Sequence, residues 1–167
     1  KQIYTDLIRR SVNDSSYSVA GAALTVLSNI DSSAAYSDAK RLSQSTAKGK
    51  LSQAISNAFA MAGREEDVDY VMNLYNKLPL SDEKFELSQM IAYYAIQLKN
   101  TDKVKKIVDG LVSFREDLPS IYKNNLAPYI NNVLLKSIAN QKMALKNVSP
   151  DAAALQQQID YINEKIK

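Results

Sequence analysis

A long, strongly apolar helix, a short polar corner and a second, more amphipathic helix recur along most of this chain. That recurrence limits what it can fold into. The corners stand at Ile30-Asp31-Ser32, Ala62-Gly63-Arg64 and Lys99-Asn100-Thr101. Asp31 lies 32 residues before Gly63, and Gly63 lies 37 before Asn100 (63 − 31 and 100 − 63). Spacing of that size belongs to solenoids built from helix pairs. The leading helix of a pair carries apolar residues around most of its circumference, as Tyr17, Val19, Ala20, Ala23, Leu24, Val26, Leu27 and Ile30 show. Such a helix is expected to be sandwiched between neighbours and not laid on a surface. The expected fold is all-α, a right-handed αα-superhelix of about four helix pairs, with residues 1–167 as one helical-repeat domain.

Periodicity and capping signals place about nine helices and no strand. Helix one is expected over Gln2 to Val12, with Ile3, Leu7 and Ile8 on one side, and helix two over Ser16 to Ile30. Ala34 to Ser43 follows, then Ala47 to Ala62 behind a Ser45-Thr46 cap, with Gly63 where a left-handed C-terminal cap belongs. Glu65, Glu66 and Asp67 open the next helix, which ends near Lys77 before Leu78-Pro79. Ser81 caps Asp82 to Lys99, and Thr101 caps Asp102 to Phe114. Pro128 either starts a helix or kinks one already running from Ser120. Ser149-Pro150 reads as N-cap and first helical position for Asp151 to Lys167, whose one-sided stripe of Leu155, Ile159, Ile162 and Ile166 suits a terminal cap. Gly21 and Gly110 fall inside helices at a cost of about 1 kcal/mol each relative to Ala, for which close helix packing is the expected reason or, for Gly110, an early end to its helix.

The sequence has no His and no Cys. Zinc peptidase motifs of the His-Glu-x-x-His kind, Ser-His-Asp and Cys-His arrangements, disulfides and zinc ribbons are thereby excluded from this chain. Its four Gly are too scattered for a phosphate loop. The acidic run Glu65-Glu66-Asp67 with Asp69 lacks the alternating spacing and turn Gly of a calcium loop, and it sits where carboxylates favour a helix N-terminus. No catalytic, cofactor-binding or metal-binding residue is expected, and the chain by itself is not expected to be an enzyme. The ten Tyr read as core residues whose hydroxyls reach a polar edge.

A net charge of +3 from 21 basic and 18 acidic side chains is too small and too mixed for nucleic acid. The densest basic stretch, Lys99, Lys103, Lys105 and Lys106, reads as a solvated helix face. No apolar run is long enough to span a bilayer. The chain begins Lys-Gln-Ile without a start Met or a signal-peptide pattern, and is expected to be a piece of a longer polypeptide or a processed one.

The segment Asp14-Ser15-Ser16-Tyr17-Ser18-Val19-Ala20-Gly21-Ala22-Ala23-Leu24-Thr25-Val26-Leu27 resembles a HEAT-repeat helix, with Ala20 where such helices carry Arg. It is followed by Ala-Ile-x-x-Ala-x-Ala at Ala54 to Ala60, the corner Gly63 to Asp67, the Lys84-Phe85 stretch and a long terminal helix pair. In that order these parts resemble the C-terminal helical domain of zinc aminopeptidases related to aminopeptidase N, especially bacterial ones. The resemblance covers nearly the whole chain. It implies a non-catalytic domain that packs on the catalytic domain of the same polypeptide and encloses or gates the peptide-substrate cavity. The zinc would belong to the parent protein, and a cell-envelope or secreted location would follow. In a paired-helix solenoid the second helices line the concave side, so Asp38, Arg41, Asp69, Asn73, Lys105 and Lys106 are expected to face the chamber or its rim. The alternative is a free-standing scaffold of the same fold that binds a protein or peptide in its groove.

Overall fold

A computed structural model describes residues 2–166, with side chains from Tyr4 onward, so the inward role expected of Ile3 lies outside the described side chains. The described residues are all-α, with no strand among them. They divide into two compact units, Lys1–Leu74 and Tyr75–Lys167.

The first unit holds α1 (Gln2–Ser11), α2 (Tyr17–Ile30), α3 (Ser32–Ser43), α4 (Gly49–Ala62), a 3₁₀ turn (Glu65–Asp67) and most of α5 (Val68–Lys77). Helix α2 packs on α1, α3 and α4. Leu24 and Leu27 are fully buried on its inner side, as are Ile55, Phe59 and Ala60 on α4. Gly21 is what lets α2 and α4 meet so closely. A Cβ there would stand 2.6 Å from both the carbonyl carbon and the oxygen of Lys50. Close packing is thus the reason for a glycine in mid-helix. Gly63 ends α4 at φ 67°, ψ 26°, the left-handed cap its position suggested, and its N–H donates to the Phe59 carbonyl.

Two expectations are corrected in this unit. Helix α2 is not covered all round, because Tyr17, Val19, Val26 and Ile30 are exposed. Ala20, Gly21, Ala23, Leu24 and Leu27 form the inner face, and the remaining large apolar residues point out. Helix α4 is not capped by Ser45 or Thr46. Lys48 holds the cap position in extended geometry, and Gly49, at φ 54°, opens the helix.

The second unit holds the end of α5, then α6 (Asp82–Gln97), α7 (Thr101–Glu116), α8 (Ser120–Tyr129), α9 (Lys136–Lys146) and α10 (Ala152–Lys165). Ser81 caps α6 by accepting from the Lys84 N–H at 3.2 Å. Asn100, and not Thr101, caps α7. Its side chain accepts from the N–H groups of Asp102 (2.9 Å) and Lys103 (3.1 Å), and its φ of −69° is not the left-handed value of Gly63. The corner before it turns two carbonyls toward the interior, and buried carbonyls need donors. The fully buried Lys142 donates to Leu98 and Gln158 donates to Lys99 at 2.8 Å. Helices α8 and α9 are joined without a break by a π-helical segment, Ile130–Leu135. Pro128 therefore kinks a running helix. It has no N–H for the Asn124 carbonyl, and the widened turn begins two residues later. Asn131, in that turn, accepts from the buried Arg115 guanidinium, which also donates to the Lys165 carbonyl at 2.7 Å. The cap of α10 is Asp151, not Ser149, whose hydroxyl accepts from the Asp151 N–H at 3.1 Å.

Candidate functional site

Helix α7 has two contrasting faces. Val104, Ile107, Val108 and Leu111 recur at helical spacing and are fully buried. The other face presents Asp102, Lys105, Lys106, Asp109 and Ser113, at i, i+3, i+4, i+7 and i+11. This polar face forms one wall of a cleft of about 600 Å³ in the second unit. Asn76 from the end of α5, Lys84 from the first turn of α6, and Asp117 after α7 complete the polar lining. Gly110 and Phe114 supply the rest.

Three ammonium groups and three carboxylates thus share one cavity. Ser113 donates to Asp117 at 3.1 Å. Tyr161 of α10 donates to Asp109, and the Lys105 and Lys165 ammonium groups lie 5.1 Å and 5.0 Å from the centre of its ring. The Tyr161 phenol is pushed up to about 12, first by burial, then by its hydrogen bond to Asp109 and the negative charges of Asp109 and Glu164. Lys84 is the most constrained group. Its ammonium donates to the Leu78 carbonyl at 2.9 Å and lies 5.1 Å from the Tyr75 ring centre and 5.4 Å from that of Phe114. Burial lowers its pKa, and the charge of Asp117 offsets that in part.

Of the residues expected to line a concave face, Lys105 and Lys106 both border this cleft. The other four lie in the first unit. Asp38 and Arg41 pair with each other at 2.7 Å, one turn apart on α3. Asp69 and Asn73 are exposed, one turn apart on α5. Lys84, Asp102, Asp109, Phe114 and Asp117 were not among the site residues expected from the sequence. The polar spacing along α7 could have found Asp102 and Asp109. Nothing in the linear sequence marks Lys84, whose surroundings are brought by α5 and α7.

The acidic run of the first unit has a different role. Asp67 is 3% exposed, and it accepts from the Tyr36 hydroxyl at 2.9 Å and from Lys40 at 2.6 Å. The Arg64 guanidinium covers the same Tyr36 ring, 4.0 Å from its centre. Asp67 therefore ties α3 to the corner after α4. Among the described residues no group of three or more acidic side chains is gathered so as to hold a metal ion.

Fold and cleft together define an all-α protein with a mixed-charge cavity walled by one face of a helix. No protein-family model, no curated protein and no solved structure matches this chain.

Proposed function

We propose that this chain is a non-catalytic helical domain of a zinc aminopeptidase related to aminopeptidase N. In this reading its helix pairs form a right-handed superhelix that packs on the catalytic domain and encloses the peptide cavity. One observation carries the reading most directly. The run Asp14 to Leu27, which resembles the family's helix, behaves as a single packing device. Asp14 accepts from the Ser16 N–H at 2.8 Å, Tyr17 donates to the Thr46 carbonyl at 2.9 Å, and Ala20, Leu24 and Leu27 are buried. Gly21 brings the backbone of the next long helix against it. A sequence without His leaves the zinc and its chemistry to another part of the polypeptide.

The coding sequence upstream tests this, together with the product it encodes. An upstream His-Glu-x-x-His followed by a second Glu, and a purified full-length protein that holds zinc and releases N-terminal residues from peptides, is the expected result. An open reading frame without that motif overturns it. The mixed-charge cleft favours one second reading, a free-standing scaffold that binds a protein or peptide in its groove. Under that reading the isolated chain retains a peptide partner, measured by calorimetry, with no catalytic domain present.

A further inference from the structure

We propose that the cleft walled by α7 is a binding site for a carboxylate carried on an apolar group, with Lys84 as its anchor and Gly110 as the residue that keeps its floor open. The proposal holds whether the chain works alone or as part of a peptidase.

Two independent observations carry it. The first is the state of Lys84. Its ammonium is half-buried in the cleft wall against two aromatic rings, and its hydrogen-bond acceptor is the neutral Leu78 carbonyl. No carboxylate among the described residues lies within 4 Å of that nitrogen. A positive charge that has lost water, and that the charge of Asp117 offsets only in part, gains from an anion delivered to it. Burial already lowers its pKa, and a bound anion would raise it again. The second observation is Gly110. It is buried in the middle of α7, where glycine costs about 1 kcal/mol relative to alanine, and it lines the same cavity beside Phe114. A helix that gives up stability at the floor of a cleft leaves room there for something other than its own side chain.

The chemistry of the walls narrows the ligand. Asp102, Asp109 and Asp117 border the same cavity and equal Lys84, Lys105 and Lys106 in number, so a dianion such as a phosphate monoester meets three negative charges and no net positive charge. A monoanionic carboxylate brings less charge past those carboxylates and pairs with one ammonium, that of Lys84. The Phe114 ring and the bare Gly110 backbone then offer an apolar resting place for the group that carries it.

The test uses 3-phenylpropionate as the probe, with its amide and phenyl phosphate as controls. Binding to the full chain is followed by NMR, through the backbone amides of Gly110, Ser113 and Phe114 and the pH titration of the Lys84 amine. The expected result is saturable shifts of those amides, an upward shift of the Lys84 titration on binding, and at least tenfold weaker binding of both controls. Lys84→Gln is expected to weaken the probe at least tenfold. Gly110→Ala keeps the charge and is expected to do the same by filling the floor, with circular dichroism reporting that each variant is folded. No shift of these amides at about 10 mM probe, a level that reveals even millimolar affinity, overturns the proposal. So does equal binding of the amide or the phosphate, or undiminished binding by a folded Lys84→Gln or Gly110→Ala protein.

Discussion

Single residues in this chain have sharply unequal weight, and position alone decides which. Gly21 makes a close approach possible that no other residue can. Gly21→Ala brings a methyl group to 2.6 Å from the Lys50 backbone, which has no flexible end to move aside. Overpacking of that kind costs about 1–3 kcal/mol, more than alanine's better helix propensity returns. A fall in the urea midpoint is expected, and a midpoint unchanged or raised would show that α2 and α4 slide apart freely. Asp67 carries comparable weight through polarity. Asp67→Ala removes the acceptor that holds the Tyr36 hydroxyl and Lys40, at a cost of about 1–3 kcal/mol for the groups left behind. Burial, the hydrogen bond to Asp67 and its charge all raise the Tyr36 phenol. Ultraviolet titration of the variant should therefore show one tyrosine ionising at lower pH than in the parent. The acid run was legible as a helix-start signal. Its tie to Tyr36 and Lys40 was not, because those partners lie 31 and 27 residues away in sequence.

At the scale of whole elements, periodicity located the helices and local chemistry misplaced several of their ends. Gly63 and Ser81 act as their residue types predict, since each does its work within a few residues of itself. Asn100 stands in the corner after α6 as Gly63 stands in the corner after α4, yet it is the cap of the helix that follows. Asparagine serves both roles, and only the direction of the backbone chooses between them. The two positions therefore respond differently to alanine. Asn100→Ala should cost about 1 kcal/mol through the lost bonds to Asp102 and Lys103. Gly63→Ala should cost about 1–2 kcal/mol through the left-handed backbone. A Gly substitution at position 100 separates the two roles further. Asn100→Gly should recover most of the loss, because glycine tolerates an N-cap position nearly as well as asparagine. An Asn100→Ala variant as stable as the parent would show that the side chain of Asn100 does no capping. Pro128 left two outcomes open in the sequence, and the widened turn after it carries Asn131, which accepts from Arg115 of α7.

For the molecule as a whole, helical content was legible because it follows from spacing, whereas exposure and the cleft depend on which elements meet. The apolar girdle of α2 did not reveal that Val19 and Val26 would face outward, and the linear sequence placed Lys84 on no site. The same tertiary surroundings give the chain a definite response to alkali. Burial raises the phenols of Tyr36, Tyr70, Tyr75 and Tyr161, the last to about 12, above an ordinary value of 10.0. Below that value both folded and unfolded chains keep these protons, so the tyrosines give no pH dependence. Above it the unfolded chain releases protons that the folded chain retains, and stability falls as pH rises. Lys40, raised by its bond to Asp67, acts in the same direction, weakly because its side chain is 41% exposed. Lys84 acts in the opposite direction. Its lowered folded pKa means that stability rises with pH between that value and the ordinary 10.5. One lysine against four tyrosines leaves a net loss above the ordinary tyrosine value. Urea midpoints taken from about pH 8 to about pH 11 should stay level or rise slightly, then drop. Tyr161→Phe removes one of the contributing phenols, so its curve should drop less steeply. A variant curve parallel to the parent's throughout would mean that neither burial nor Asp109 holds the Tyr161 proton in the folded protein.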